Sequence, residues 1–207
     1  MNANGNLPVN WFDVFVLLML LIGYSRGKKN GMSQESLAML KWIAVMLLPA
    51  IAYEPLGQWL AATAQLGKLS AFLIAYIATA LVVALIFILV TGPLAEKMKG
   101  SDAFGKAEFY LAKPAGVLRF ACVVMVLLAL LNARYYSTAE VRAAKKYDLE
   151  NYGSSFFPHL YALQDDVFKN SFTGSQIHKH LDFLLIKPTP AILGPTAPAR
   201  RKEFSWQ

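Results

Sequence analysis

A chain of 207 residues that is 56% hydrophobic and only 16% charged, with a mean hydropathy of +0.41, is too apolar for a water-soluble fold. Soluble domains carry about 45–50% apolar and about 25% charged residues. The net charge of +7 would suggest nucleic acid in a soluble protein. Here most basic residues flank apolar runs, where membrane orientation and anionic head groups select them, so nucleic acid is excluded and the lipid bilayer becomes the expected partner.

The opening MNANGNLPVNWFD lacks the basic segment and small-residue cleavage site of a signal peptide, so the first apolar run is expected to stay as a helix. That span covers about Leu7 to Ser25, close to the roughly 20 residues that cross about 30 Å of hydrocarbon. Asp13 is its one ionisable residue, beside Trp11 and Phe12. Two readings stand for it: a carboxylate at the interface favoured by the helix dipole, or an intramembrane carboxylate that pairs with another helix or a cation.

GYSRGKKNG follows, with Gly23, Gly27 and Gly31 at four-residue intervals and Glu35 continuing the register. On one helix these positions form a stripe that lets a neighbouring backbone come close. With Arg26, Lys28 and Lys29 between them, the stretch also reads as a plain basic turn. The second span, from about Leu37 to Tyr53, has Lys41 near its entry, able to snorkel, and a kink expected at Pro49. Glu54-Pro55 marks its expected exit, with Leu56 to Leu66 apolar enough to lie along the interface. Between Lys68 and Glu96 no charge interrupts the third span. From Glu96 to Lys113 the chain is polar, and Phe104, Ala107 and Leu111 share one face of an expected short surface helix. Pro114 opens the fourth span, to about Asn132, in the first-turn position where a missing donor costs little. Cys122 inside it is a packing residue. As the single cysteine it allows no intramolecular disulfide.

The first and third connections carry the lysines and arginines, including Lys97, Lys99, Lys106 and Lys113. The positive-inside rule then puts both termini on the outer side. After the last span, Ser137 to Glu140 spells a capping box. Phe156, Leu160, Leu163 and Val167 recur at helical spacing opposite Gln164, Asp165 and Lys169, and Ile177, Leu181 and Leu184 mark a further element. These short helices either pack on themselves as an external cap or lie on the membrane or a partner. Pro188, Pro190, Pro195 and Pro198 precede the basic cluster Arg200, Arg201 and Lys202 and argue for an extended end. The expected organisation is all-α: a four-helix transmembrane domain over residues 1–133, extramembrane amphipathic helices over 134–187, and a Pro-rich, basic, disordered tail over 188–207.

No catalytic constellation emerges. His159, His178 and His180 all fall in the tail, and two residues apart on a helix His178 and His180 point away from a shared face. No HExxH, GxSxG, Walker loop or GxGxxG occurs, and Asp165-Asp166 reads as a solvated edge. No enzyme activity, metal or cofactor is expected. A proton-coupled transporter needs facing ionisable groups, and the carboxylates near spans are Asp13, Glu54 and Glu96.

Asp13, Gly27 preceded by Arg26, Gly31, Glu35 and Trp42 stand in the order and spacing that resemble the colicin V production (CvpA) family of small bacterial membrane proteins. A second family signature, G-x3-G-x2-R-G, is similar to Ala112, Gly116, Arg119 and Phe120, with two of three glycines replaced. Ser155, Phe156, Phe157 and Pro158 resemble a further element before a tail helix. The similarity covers about residues 9 to 170. It implies a multi-pass protein of the bacterial inner membrane, needed for production or export of a secreted peptide toxin or for envelope maintenance, with no established cofactor or catalytic residues. Expected partners are a second copy of the chain or secretion and envelope membrane proteins. The alternative is a small oligomeric channel or transporter subunit. Asp13, Gly23, Gly27, Gly31, Glu35, Gly116 and Arg119 are the candidate interface or functional residues.

Overall fold

The computed structural model describes residues 9–98, 105–152 and 159–191. Four long helices dominate: α1 (Trp11–Asn30), α2 (Met32–Ala64), α3 (Lys68–Met98) and α4 (Glu108–Asn132). Three helical stretches, Met32–Ala64, Lys68–Thr91 and Glu108–Asn132, are long and apolar enough to cross a membrane. In α1 the apolar run is bounded by Asp13 at one end and by Arg26, Lys28 and Lys29 at the other. The helices do not pack in chain order. α4 lies between α1 and α2, and α2 packs on α3, while α1 and α2 barely touch. α4 is accordingly the most buried of the three apolar helices and α3 the least. Val14, Leu17, Leu18 and Leu21 on α1 and Leu81, Leu85, Leu89 and Val90 on α3 face outward, a surface suited to acyl chains rather than water.

Several boundaries differ from the sequence expectation. α1 runs through the basic stretch to Asn30, so Arg26, Lys28 and Lys29 sit on its last turns, where cations suit the helix dipole. α2 does not exit at Glu54-Pro55 but continues through both prolines to Ala64. Gly57 lies so close to the Phe72 ring of α3 that a methyl group would not fit, so packing there holds the helix together past Pro55. The segment expected along the interface, Leu56 to Leu66, is thus mostly the end of α2, which stops where Gln65 turns left-handed. Among the described residues of the expected surface helix, Gly105–Ala107 form a 3-10 turn and α4 starts at Glu108, ahead of Pro114, so that Leu111 belongs to α4. Phe104 and Ser155 to Pro158 lie outside the described residues, as do Leu7, Pro8 and residues 192–207.

Past α4 the chain folds back over the end of the bundle. A two-residue strand β1 (Arg134–Tyr135) pairs in parallel with β2 (Thr189–Pro190), and the intervening α5 (Thr138–Tyr152), α6 (Leu160–Phe168) and α7 (Phe172–His180) form the cap. The Ser137–Glu140 capping box is made in both directions, at 2.9 and 3.2 Å. The α6 face is a correction. Among the described residues of that row Leu160 and Leu163 are exposed and Val167 is buried. Gln164, expected on the polar side, turns inward and donates to the carbonyls of Leu131 and Arg134. A helix end leaves its last carbonyls unpaired, and burying each without a donor costs about 1–3 kcal/mol.

Leu184, Leu185 and Ile186 then enter the core beside Tyr53, Tyr76, Leu128 and Ala129. Asn132 Nδ2 donates to the Ile186 carbonyl at 3.1 Å, and Lys187 N donates to the Tyr53 hydroxyl at 3.2 Å. Residues 188–190, expected to begin the loose end, are held instead, because Thr189 N donates to the Ala133 carbonyl at 2.9 Å and its side chain is buried. Ile186 is the anchor of this return. Ile186→Ala is expected to cost about 2–5 kcal/mol, seen as a lower denaturation midpoint in detergent. An unchanged midpoint would mean that the return strand is not part of the folded core.

Candidate functional site

Six of the seven candidate residues meet at one junction of α1, α2 and α4. Gly23 and Gly27 face Gly116 and Ala112 backbone to backbone. A Cβ on Gly23 would lie 2.6 Å from the Gly116 carbonyl oxygen, and one on Gly27 would overlap that of Ala112. A Cβ on Gly116 would meet Gly27 Cα at 3.0 Å. The two glycines that α4 lacks relative to the second signature are not needed at this contact. Ala112 is buried in it, and the Phe120 ring lies beside Gly23. Gly23 and Gly27 therefore form a helix-packing surface, and the stripe stops at Gly31, where the helix breaks.

Gly31 makes the break between α1 and α2. Its φ of 76° is the left-handed region that glycine takes without strain. Its N–H donates to the Gly27 carbonyl at 3.3 Å, and its own carbonyl accepts from Glu35 N at 3.1 Å. Gly31 offers α2 no capping side chain, and α4 supplies one. The Glu108 carboxylate accepts Ser33 N–H at 2.7 Å and the Ser33 hydroxyl at 2.9 Å, a cap donated across the bundle and favoured by the α2 dipole.

One turn further on, Glu35 is fully buried. Its Oε1 accepts from Arg119 Nη1 at 3.0 Å and its Oε2 from Asn30 Nδ2 at 3.0 Å. The pair ties α2 to α4, and Asn30 adds the end of α1. Beside it opens a cavity of about 260 Å³ lined by Gln34, Leu37, Ala38, Lys41 and Thr91 together with the pair. Both carboxylate oxygens are engaged, so Glu35 acts here as a structural counter-ion rather than as a free base.

Asp13 stands apart, at the opposite end of α1. It closes a capping box with Asn10, accepting Asn10 N–H at 2.9 Å while Asn10 Oδ1 accepts Trp11 N–H at 2.6 Å. The same carboxylate accepts the N–H groups of Phe172 at 3.1 Å and Thr173 at 2.7 Å, the first turn of α7. One side chain thus serves two helix N-termini, and its partners are backbone donors rather than a cation. On the same end Lys187 Nζ reaches Glu54 at 2.8 Å. The hydrogen bond and then the charge of Glu54 raise the Lys187 pKa above its ordinary value. This exposed pair adds little stability.

Among the described residues no group of His, Cys, Asp and Glu side chains is arranged to hold a metal ion. Sequence reasoning missed Asn30, Ser33 and Glu108. For Glu108 the obstacle was the misplaced start of α4. For Asn30 and Ser33, flanking Gly31 and preceding Glu35, a polar cap around a helix break was a usable signal.

Arg119→Leu is expected to strand Glu35 and cost about 3–5 kcal/mol, and adding Glu35→Met should recover most of it. Detergent denaturation curves of the single and double variants check this, and an additive double variant would refute the coupling. Gly27→Leu meets backbone rather than a movable side chain, so its cost should exceed the about 1–3 kcal/mol usual for overpacking.

A family model described as "Colicin V production protein" matches residues 12–148. No curated protein and no solved structure matches the chain. The family match spans more than half of the sequence and takes in both Asp13 and the whole α1–α2–α4 junction, and on it the chain belongs to the colicin V production protein family.

Proposed function

We propose that this chain is a non-enzymatic accessory protein of the bacterial inner membrane that assists production or export of a colicin V-type peptide toxin, or maintenance of the cell envelope. The observation that carries the reading is the family match over residues 12–148, joined to helices whose outward faces are apolar. The engagement of the main ionisable groups supports an accessory role over transport. Glu35 is neutralised by Arg119, Glu108 caps α2, and Asp13 caps α1 and α7. Each holds one element on another, whereas a transport route needs such groups turned to an aqueous path. α1, lying along α4 with Val14, Leu17, Leu18 and Leu21 outward, serves as a fourth span. The basic corner then faces the cytoplasm and both termini face outward. The bilayer is the obligatory partner, with a second copy or other secretion and envelope proteins alongside it.

Complementation tests the role. A deletion strain carrying the chain should recover toxin secretion or resistance to envelope stress, and no recovery of either refutes the reading. Glu35→Gln that abolished solute flux in proteoliposomes while the fold survived would favour the channel instead. Single cysteines placed on a Cys122→Ala background test the orientation. Lys179→Cys should react with an impermeant maleimide in intact spheroplasts, and Lys28→Cys only after lysis. The reverse pattern inverts the topology.

A further inference from the structure

The cap over the bundle end leaves two cavities that meet at Arg134, Tyr136 and Tyr161. One, of about 420 Å³, is walled by Arg134, Tyr136, Tyr161, Gln164, Phe168 and His178 among others. The other, of about 490 Å³ between α5 and the start of α6, shares Arg134, Tyr136 and Tyr161 with it. Both fall in the range of small-ligand pockets.

The Arg134 guanidinium packs on the Tyr136 ring at 4.4 Å. Its Nε is buried with no acceptor among the described residues. No described carboxylate pairs with it, and those nearby are taken. Asp165 holds Lys169 at 2.7 Å, and Glu140 accepts Ser137 N–H at 2.9 Å. Asp182 lies 3.5 Å from His178. Asp148 is bound by His159, whose ring stacks on Tyr161 at 5.1 Å and fixes that wall. Burial and then the Asp148 charge raise the Tyr161 pKa. An arginine packed on an aromatic ring, in a recess and without a counter-ion among the described residues, is half of a charge-assisted pair.

We propose that this recess binds an organic monocarboxylate, with the carboxylate on Arg134 and an apolar body against Tyr136, Tyr161 and Phe168. The charge count selects the ligand. Arg134 contributes one unpaired positive charge, Asp165 and Lys169 on the first cavity cancel each other, and Glu140 on the second disfavours a phosphate dianion. The same carboxylate can belong to a free acid or to the C-terminus of a peptide. The inference concerns the ligand alone and stands whichever cellular role the protein serves.

Calorimetric titration of the full chain in detergent with N-acetylphenylalanine and with its amide tests it, because the two probes differ only in the anion. Saturable binding of the acid is expected, at least about tenfold tighter than the amide, as for the loss of a hydrogen bond to a charged group. Arg134→Gln should level the two. If that variant does not fold, the acid–amide comparison on the natural chain still decides. Tighter binding of N-acetyl-alanyl-phenylalanine than of the single residue assigns the site to peptide ends, and equal or weaker binding assigns it to free acids. The proposal is overturned if the acid does not saturate, if the amide binds as well, or if a folded Arg134→Gln binds the acid unchanged. Displacement of the acid by phosphatidylglycerol in mixed micelles would also overturn it and give the recess to a lipid head group.

Discussion

The close approach of α1 to α4 is the constraint on which the rest of the bundle depends. Within a bilayer, apolar side chains gain nothing from leaving lipid, so helices associate through van der Waals packing and polar contacts. Gly23, Gly27, Ala112 and Gly116 give α1 and α4 the first by letting backbone meet backbone. Glu35–Arg119 and Glu108–Ser33 give the second, joining α2 to the pair. Because α1 and α2 are consecutive but scarcely touch, the sharp break at Gly31 has to place α2 on the other side of α4. A residue there with a Cβ would meet strain at φ 76° and the Glu108 carboxylate at 2.8 Å together.

That arrangement explains which parts of the structure were legible in the sequence. Helix existence followed from apolar length, and the glycine spacing announced a stripe before any partner was known. Gly116 and Arg119 were legible only through a family resemblance, since nothing local in AKPAGVLRF distinguishes a packing glycine from a flexible one. The boundaries failed at prolines. Pro55 and Pro114 read as an end and a beginning, yet α2 and α4 run through them. Gly57 against Phe72 is one of the tertiary contacts that outweigh the lost donor, and no single-sequence pattern contains such a contact. The same holds for Gln164, whose inward turn answers carbonyls at the end of another helix.

The two ends of the bundle are closed by different chemistry. At the basic end the closure is ionic, with Glu35 buried against Arg119. At the other end it is made of backbone groups. Asp13 caps α1 and α7, Gln164 and Asn132 pair main-chain carbonyls, and Thr189 continues the pairing to Ala133. A cap built this way depends on the few side chains, Asp13, Gln164 and Asn132, that reach its backbone groups. Arg134 is the exception, a charged group carried into the cap without a partner among the described residues. The closure does not use it, and so it is the side chain left for a ligand.

The heights of the charges fit this division. On α1, α2 and α4 the uncharged stretches are Val14 to Ser25, Trp42 to Tyr53 and Phe120 to Asn132. At 1.5 Å per residue each is about 18–20 Å long, well short of about 30 Å of hydrocarbon. On α3 the uncharged stretch from Leu69 to Ala95 is about 40 Å by the same measure. α3 alone is therefore uncharged over more than a full lipid thickness, while the uncharged stretches of the other three are shorter than it. Arg119, on α4 between α1 and α2, is only about 20% exposed. Pairing with Glu35 offsets the cost of that burial, and the ion pair thus supports α4 in its place between α1 and α2.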